Sequence, residues 1–412
     1  MAKPIIVSRI GAPIGAKILE TMSPWRKALR ELSGGLGDVG MLIPLAVALV
    51  AVNGLNATAV FGGVGLLYMG TALYFRVPVP VQPLKAFAAA AIALGLDAAT
   101  IAVGALMMTA VMGALAALGL ADRIAARFPI VLVRGIQASV ALLLAKAAIE
   151  LAEKGNWPGW PPIDPSLSLA IAAAACAALL ACGRSSWLPG SLIVLGGGIA
   201  LGLLVGGLPQ GLEVGPAAVS LAIPSGADLG TALTALLLAQ LPLTFGNSVV
   251  ATADVERAYF GERARRVTPN RLAASISGAN LLAGLTGGLP SCHGAGGVTA
   301  HYKLGARTAW ATLSVGALFL VLAIAVGASL PLLLTVLAPG ALAGMLLFVA
   351  IQHALLAASL ERADDRLIAA GVGVVTLLSG NLGVGFAAGA LVLAARAWLR
   401  RVLGQLPTME AT

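Results

Sequence analysis

Residues 287–307 read GGLPSCHGAGGVTAHYKLGAR. Pro290 withdraws a backbone donor, the glycines weaken helix, and Ser291, Cys292 and His293 add polar groups, so one lipid-facing helix cannot run through this segment. The flanking chain is nearly continuous hydrocarbon. Of 412 residues, 59% are hydrophobic and 10% charged, a balance that excludes a soluble globular domain and marks an integral membrane protein. Apolar runs recur at the roughly 20 residues a spanning helix needs, without the alternation of barrel strands. The expectation is an all-α polytopic protein of about fourteen transmembrane segments. Irregular backbone at membrane depth must then be enclosed by protein or line a cavity.

A net charge of +9 would suggest nucleic acid as partner for a soluble chain. In a membrane protein, cations confined to short connections report topology instead, and no nucleic acid is expected. With the N-terminus cytosolic, Arg76, Arg123, Arg127, Arg184, the Arg257–Arg271 cluster, Arg307, Arg362 and the terminal Arg396, Arg400 and Arg401 all fall in cytosolic connections. The outer segment 207–228 carries Glu213 and Asp228 but no Lys or Arg. Residues 1–31 form a basic cytosolic segment with no apolar core, so no cleaved signal peptide is expected. Cys176, Cys182 and Cys292 lie in or beside apolar runs, which argues against a disulfide framework.

The apolar segments divide into two sevens, residues 33–208 and 229–403, and an odd number per half inverts the second. One half opens with GGLGDVGMLIPLAVAL (34–49) and the other with LAQLPLTFGNSVVATA (238–253); placing Asp38 on Asn247 gives an offset of 209 residues, which carries Gln82 onto Ser291. The third segment of each half then has a matching defect, VPVPVQPLKAFAAAAIALGL (77–96) and the opening stretch. Breaks at corresponding places in inverted halves point to a transporter site.

Pro78, Pro80 and Pro83 forbid helix through 77–82, and a helix beginning at Pro83 would use proline at its favoured first position. Pro290 likewise ends one segment, Ser291 can cap, and a helix can start at His293 or Gly294. Half-helices of about 12 residues cannot span, so their N-termini fall near the midplane. Helix N-termini carry partial positive charge and free amides, which makes an anion site. Glycines 294, 296 and 297 admit close approach of backbone or ligand.

Lys85 falls in the first turn of the first half-helix, where an ammonium costs about 2.5–3.5 kcal/mol unless something compensates it. An anion would; a permanent ion pair with Asp38, or snorkelling toward the cytosol, are the alternatives. Asp38 is the one carboxylate of its span, suited to a proton, a coupling cation or a structural tie, and Asn247 stands in its place in the second half, leaving no carboxylate for a coupling proton on that span. Gln82, Ser291, Thr244 and Asn247 are neutral donors of the kind an oxyanion site uses. Cys292 and His293 with His301 lack the fourth partner of a zinc site, and neighbours on a helix diverge by about 100°, which disfavours a Cys-His nucleophile. No metal, no cofactor and no enzymatic activity are expected. His293 donates to an anion, titrates in coupling, or makes a structural hydrogen bond. Arg134 and His353 have no pattern to place them.

The segments GGLGDVGMLIP, VPVPVQPLKA, PLTFGNSVVA and PSCHGAGGVTAHYKLGAR resemble the signature segments of the molybdate-transporter family, a branch related to the sulfate permeases. The resemblance runs over most of residues 30–400. It implies a seven-plus-seven inverted repeat with half-helices in segments 3 and 10. Its division would be a core domain (32–120 and 229–328), a gate domain (121–208 and 329–403), an extracytoplasmic linker (209–228) and a cytosolic tail (404–412). It implies an anion between segments 3 and 10, contacted by Gln82, Pro83, Lys85, Ser291, Cys292, His293 and Gly294. Sulfate permeases carry a cytosolic regulatory domain after the membrane part, and the chain stops soon after Arg401, so regulation through such a domain is not expected. The substrate expected is a tetrahedral oxyanion, molybdate before sulfate, with nucleobase or bicarbonate carriers as rivals on the same scaffold. Proton-coupled relatives often place an acidic residue on the eighth span, where this sequence reads LTFGNS, so protons are one open choice of coupling ion; a homodimer in the plasma membrane completes the expectation.

Overall fold

The computed structural model describes residues 23–153, 163–184, 188–221 and 223–404. Most of the basic segment 1–31 and of the tail 404–412 lies outside the described residues.

Helix α1 (Pro24–Gly35) meets α2 (Val39–Asn53) at a 50° bend, with Asp38 as N-cap residue of α2. Helix α3 (Ala57–Phe75) starts where Asn56 Oδ1 accepts the Ala59 amide and stops at Arg76, which takes a left-handed conformation at φ 62°. The proline-rich stretch after it is extended, as three prolines in six residues require, and leads through β1 (Gln82–Pro83) into α4 (Lys85–Ala93). There follow α5 (Ala98–Ala117), capped by Asp97, then α6 (Leu120–Ala125), α7 (Ile130–Glu153), α8 (Pro165–Arg184) and α9 (Gly190–Val205).

The second half begins with α10 (Leu229–Ala264), capped by Asp228. Its Ala232–Leu237 and Thr244–Ala251 turns are π-helical and flank Pro242. A proline offers no amide to the ladder, and the wider turns take up the broken register. Then come α11 (Pro269–Thr286), β2 (Ser291–Cys292), α12 (Ala295–Leu304), α13 (Trp310–Val326), α14 (Leu330–Leu334), α15 (Pro339–Ala357), α16 (Ala363–Ser379) and α17 (Leu382–Gly404).

Seven helices among the described residues are long and apolar enough to cross a membrane, or eight if the bent α1–α2 pair is one span. The chain is an all-α integral membrane protein. The shorter apolar helices α9 and α13, and the half-helices α4 and α12, stand outside that number. Packing joins the halves rather than separating them: α3 lies on α13, α11 on α5, α15 on α7 and α8, and α7 on α16. Between α3 and α13, Phe61 stacks on Phe319 at 6.1 Å, and a Cβ on Gly65 or Gly316 would meet the other's carbonyl oxygen at 2.8 or 2.7 Å. Small residues let helix backbones approach where lipid offers no hydrophobic drive. The 209–228 segment lies over the starts of α3 and α5: Ala217 N donates to Thr58 Oγ1 at 2.7 Å and Asp228 N to Thr100 Oγ1 at 3.1 Å.

Candidate anion-binding site

The two breaks meet. Strands β1 and β2 pair antiparallel, Gln82 with Cys292 and Pro83 with Ser291, and the Leu84 amide continues the ladder to the Pro290 carbonyl at 2.9 Å. This pairing corrects the helix starts read from sequence. Pro83 is not the first residue of a helix, nor is Ser291 a cap, because both are held extended by the ladder; α4 starts at Lys85 behind Leu84 and α12 at Ala295 behind Gly294. The half-helices have 9 and 10 residues.

The glycines after Cys292 seat polar side chains. A Cβ on Gly294 would collide with the Gln82 carboxamide and come within 3.4 Å of Asn247 Nδ2. One on Gly297 would collide with Gln82 Nε2 and lie 2.7 Å from Asp38 Oδ2, and one on Gly296 would run into the His353 ring. The first turn of α12 is therefore wrapped by Gln82, Asp38, Asn247 and His353, from four other elements.

Asp38 is fully buried and takes three hydrogen bonds: Tyr68 Oη donates to Oδ1 at 3.2 Å, Gln82 Nε2 to Oδ2 at 2.9 Å, and His301 Nε2 lies 2.9 Å from Oδ1. The Asp38–Lys85 ion pair, one of the alternatives for Lys85, is absent among the described residues, where Asp38 pairs with His301 instead. Among the described residues, Lys85 Nζ is shielded from solvent without a hydrogen-bond partner, and so are Gln82 Oε1, both amide atoms of Asn247 and Ser248 Oγ. A buried ammonium with nothing to accept its protons is costly.

The other expected ligands are tied into the protein. Ser291 Oγ donates to Leu289 O at 2.8 Å and Cys292 Sγ to Pro83 O at 3.8 Å. His293 Nδ1 donates to Pro80 O at 2.8 Å, Nε2 faces Ser275 Oγ at 2.9 Å, and its carbonyl accepts from Thr252 Oγ1 at 2.9 Å. Both ring nitrogens of His293 thus have partners within the protein. Thr244 Oγ1 accepts from Gln240 Nε2 at 3.0 Å, and Gln240 Oε1 takes the Phe87 amide of α4 at 3.1 Å, so one free donor of that half-helix is already occupied.

Sequence reasoning passed over Tyr68, Gln240, Ser248 and Asn280, whose Nδ2 donates to Ser291 O at 2.8 Å and holds β2 to α11. It also ended the span of Asn247 too early. Helix α10 runs on to Ala264, and Glu256 lies on it, fully buried, with neither carboxylate oxygen bonded among the described residues. A carboxylate does therefore share that helix with Asn247.

Long apolar helices, two half-helices joined tip to tip, and an enclosed cluster of unanswered donors define a polytopic membrane transporter rather than an enzyme. The chain belongs to the molybdate transporter family: the family described as "Molybdate transporter of MFS superfamily" matches residues 30–144 and 232–352. Among curated relatives, Molybdate transporter 1 of Chlamydomonas reinhardtii is 27% identical over 89% of this chain and 91% of its own, and Molybdate transporter 2 of Arabidopsis thaliana 26% identical over 88% and 86%. Among solved structures, the transmembrane domain of the cyanobacterial bicarbonate transporter BicA superposes with a TM-score of 0.59 at 18% identity, covering 89% of this chain and 98% of that one. Murine solute carrier 26 family member A9, an anion transporter in the inward-facing state, gives 0.58 at 13% identity over 91% and 69%. These likenesses establish the fold.

Proposed function

We propose that the protein is a secondary transporter of molybdate, a tetrahedral dianion, held between the N-termini of α4 and α12 and moved by alternating access. The observation that carries the reading is Lys85: a cation enclosed at one of two apposed half-helix N-termini, with no acceptor among the described residues. Helix amides and an ammonium together are complementary to an oxyanion. The names of the curated relatives favour molybdate over sulfate.

In this reading fourteen segments form two inverted repeats. The 209-residue offset supports it well beyond the residues that suggested it. It carries Ala57 and Ala98 to within three residues of Pro269 and Trp310, Lys85 to within one of Ala295, and Ile130 onto Pro339. The packing pairs match in the same way: α3 on α13 answers α11 on α5, and α7 on α16 answers α15 on α8. The ladder is its own image, because Gln82 with Cys292 becomes Ser291 with Pro83. The core then comprises 32–120 and 229–328, the gate 121–208 and 329–403, with 209–228 as outer linker and both termini cytosolic in the plasma membrane.

Within the site, Lys85, Gln82, Asn247 and the Gly294 backbone face the anion. Pro83, Ser291 and Cys292 form the ladder that positions them, His293 fastens the extended 77–82 segment to α11, and Asp38 anchors the ladder through Gln82. Uptake of labelled molybdate into proteoliposomes tests the reading, with unlabelled sulfate as competitor and an imposed proton gradient to detect symport. Molybdate enters and sulfate competes weakly; failure of both anions to enter or compete overturns it. Lys85→Ala lowers uptake at least tenfold, since a hydrogen-bonded charge is worth about 1.5–3 kcal/mol.

A further inference from the structure

The chain has three histidines. His293 uses both ring nitrogens and His301 binds Asp38 through Nε2, but His353, 0% exposed on α15, uses neither Nδ1 nor Nε2 among the described residues. An imidazole kept for structure alone would be expected to spend at least one of its nitrogens on the protein. Its position is also specific. The ring lies against Gly296, the second residue of α12, so closely that a Cβ there would overlap its Nε2 and Cδ2 and come within 2.8 Å of Cε1. Ala295 and Gly296 sit in the turn whose amides a helix leaves without carbonyl partners. A buried donor, unbonded among the described residues, thus stands over the first turn of α12, against which Gln82 and Asn247 also lie.

We propose that His353 is a ligand of the transported anion, contributed from outside the two broken segments. The proposal rests on the reading of the paired breaks as the anion site. In any tautomer one ring nitrogen carries a proton, and an oxyanion at the α12 N-terminus is the acceptor it lacks. Helix α15 packs on α7 and α8 and also on α2 and α12. In terms of the proposed domains, His353 belongs to the gate while the amides, Lys85 and Asn247 belong to the core. The anion is therefore bound across the boundary at which the two domains move, and its full set of ligands exists only in the arrangement that brings α15 onto α12. Gly296 is glycine because the ring occupies the space a side chain would take.

The test is binding of labelled molybdate to the purified full-length protein, wild type against His353→Leu, His353→Asn and Lys85→Ala, with the melting temperature of each ligand-free protein measured in parallel. His353→Leu weakens binding tenfold or more while the ligand-free protein melts within a few degrees of wild type, and His353→Asn, which keeps a donor, recovers part of the loss. Wild-type affinity in His353→Leu, with binding lost in Lys85→Ala, overturns the role of His353 and leaves the site intact. A lower melting temperature with unchanged affinity in both His353 variants makes the residue structural and likewise overturns it. Absence of molybdate binding by the wild type overturns this proposal together with the function it rests on.

Discussion

At the scale of single residues, Gly297 shows how little room the site has. A methyl group there would press on Gln82 Nε2, on Asp38 Oδ2 at 2.7 Å and on Pro80 Cβ at 2.8 Å. Overpacking of this kind costs about 1–3 kcal/mol. Gly297→Ala is accordingly expected to lower the melting temperature and weaken molybdate binding together, because Gln82 cannot retreat without releasing Asp38; a variant unchanged in both would show the contact to be soft. Lys85, Gln82, Asp38 and Asn247 were all visible in the sequence, because a polar group inside an apolar run is conspicuous by itself. Their partners were not. Tyr68 reads as one more aromatic in GLLYMGTALYF, and only the fold carries its hydroxyl to Asp38, 30 residues earlier. His353 has no sequence pattern to place it for the same reason: nothing within its own span says that it faces Gly296, 57 positions back.

At the scale of elements, the prolines and glycines located both breaks but misjudged where the helices resume. Cap and propensity rules treat each break alone, whereas the starts at Lys85 and Ala295 are fixed by strand pairing between segments more than 200 residues apart. Helix α10 runs past Arg257, which the sequence reading puts in a connection between spans; there it packs against α12, and Glu256 is buried. The other end of α10 offers a test of capping. Asp228 takes Thr231 N at 3.0 Å and Thr231 Oγ1 at 2.6 Å, and the Thr231 side-chain hydrogen bond, ahead of the backbone one, holds its carboxyl below the usual carboxylate range. A carboxyl depressed by folding stabilises the protein above its unfolded pKa, and that contribution disappears as the pH falls through the lower folded value. In melts recorded from neutral to acidic pH, Asp228→Ala is therefore expected to melt below wild type at neutral pH, with the part of the gap that depends on ionisation closing on the acid side. A gap that is constant with pH would assign the loss to packing.

At the scale of the whole molecule, the proposed twofold plan rests in the sequence on punctuation, Asp38 over Asn247 and Gln82 over Ser291, although side chains at those positions differ. What sequence could not supply is how the two halves of the chain interlock, because α3 against α13 and α11 against α5 are contacts between them. Movement of core against gate can be tested where Ser33 of α1 accepts the Ser191 amide of α9 at 3.1 Å. A Ser33→Cys, Ser191→Cys double variant, oxidised to a disulfide, is expected to stop molybdate uptake, and reduction to restore it. Uptake that persists with the bond fully formed would place the moving boundary elsewhere. The ladder between β1 and β2 limits what that motion can be. It sews the first half of the chain to the second at the point where the proposed anion would rest, so a clamshell hinged between the halves would have to tear its own seam on every cycle. Under the proposed function, a carriage that bears both half-helices together would leave the seam whole, and the cargo would change sides by travelling with its cradle, not by being handed from one half to the other.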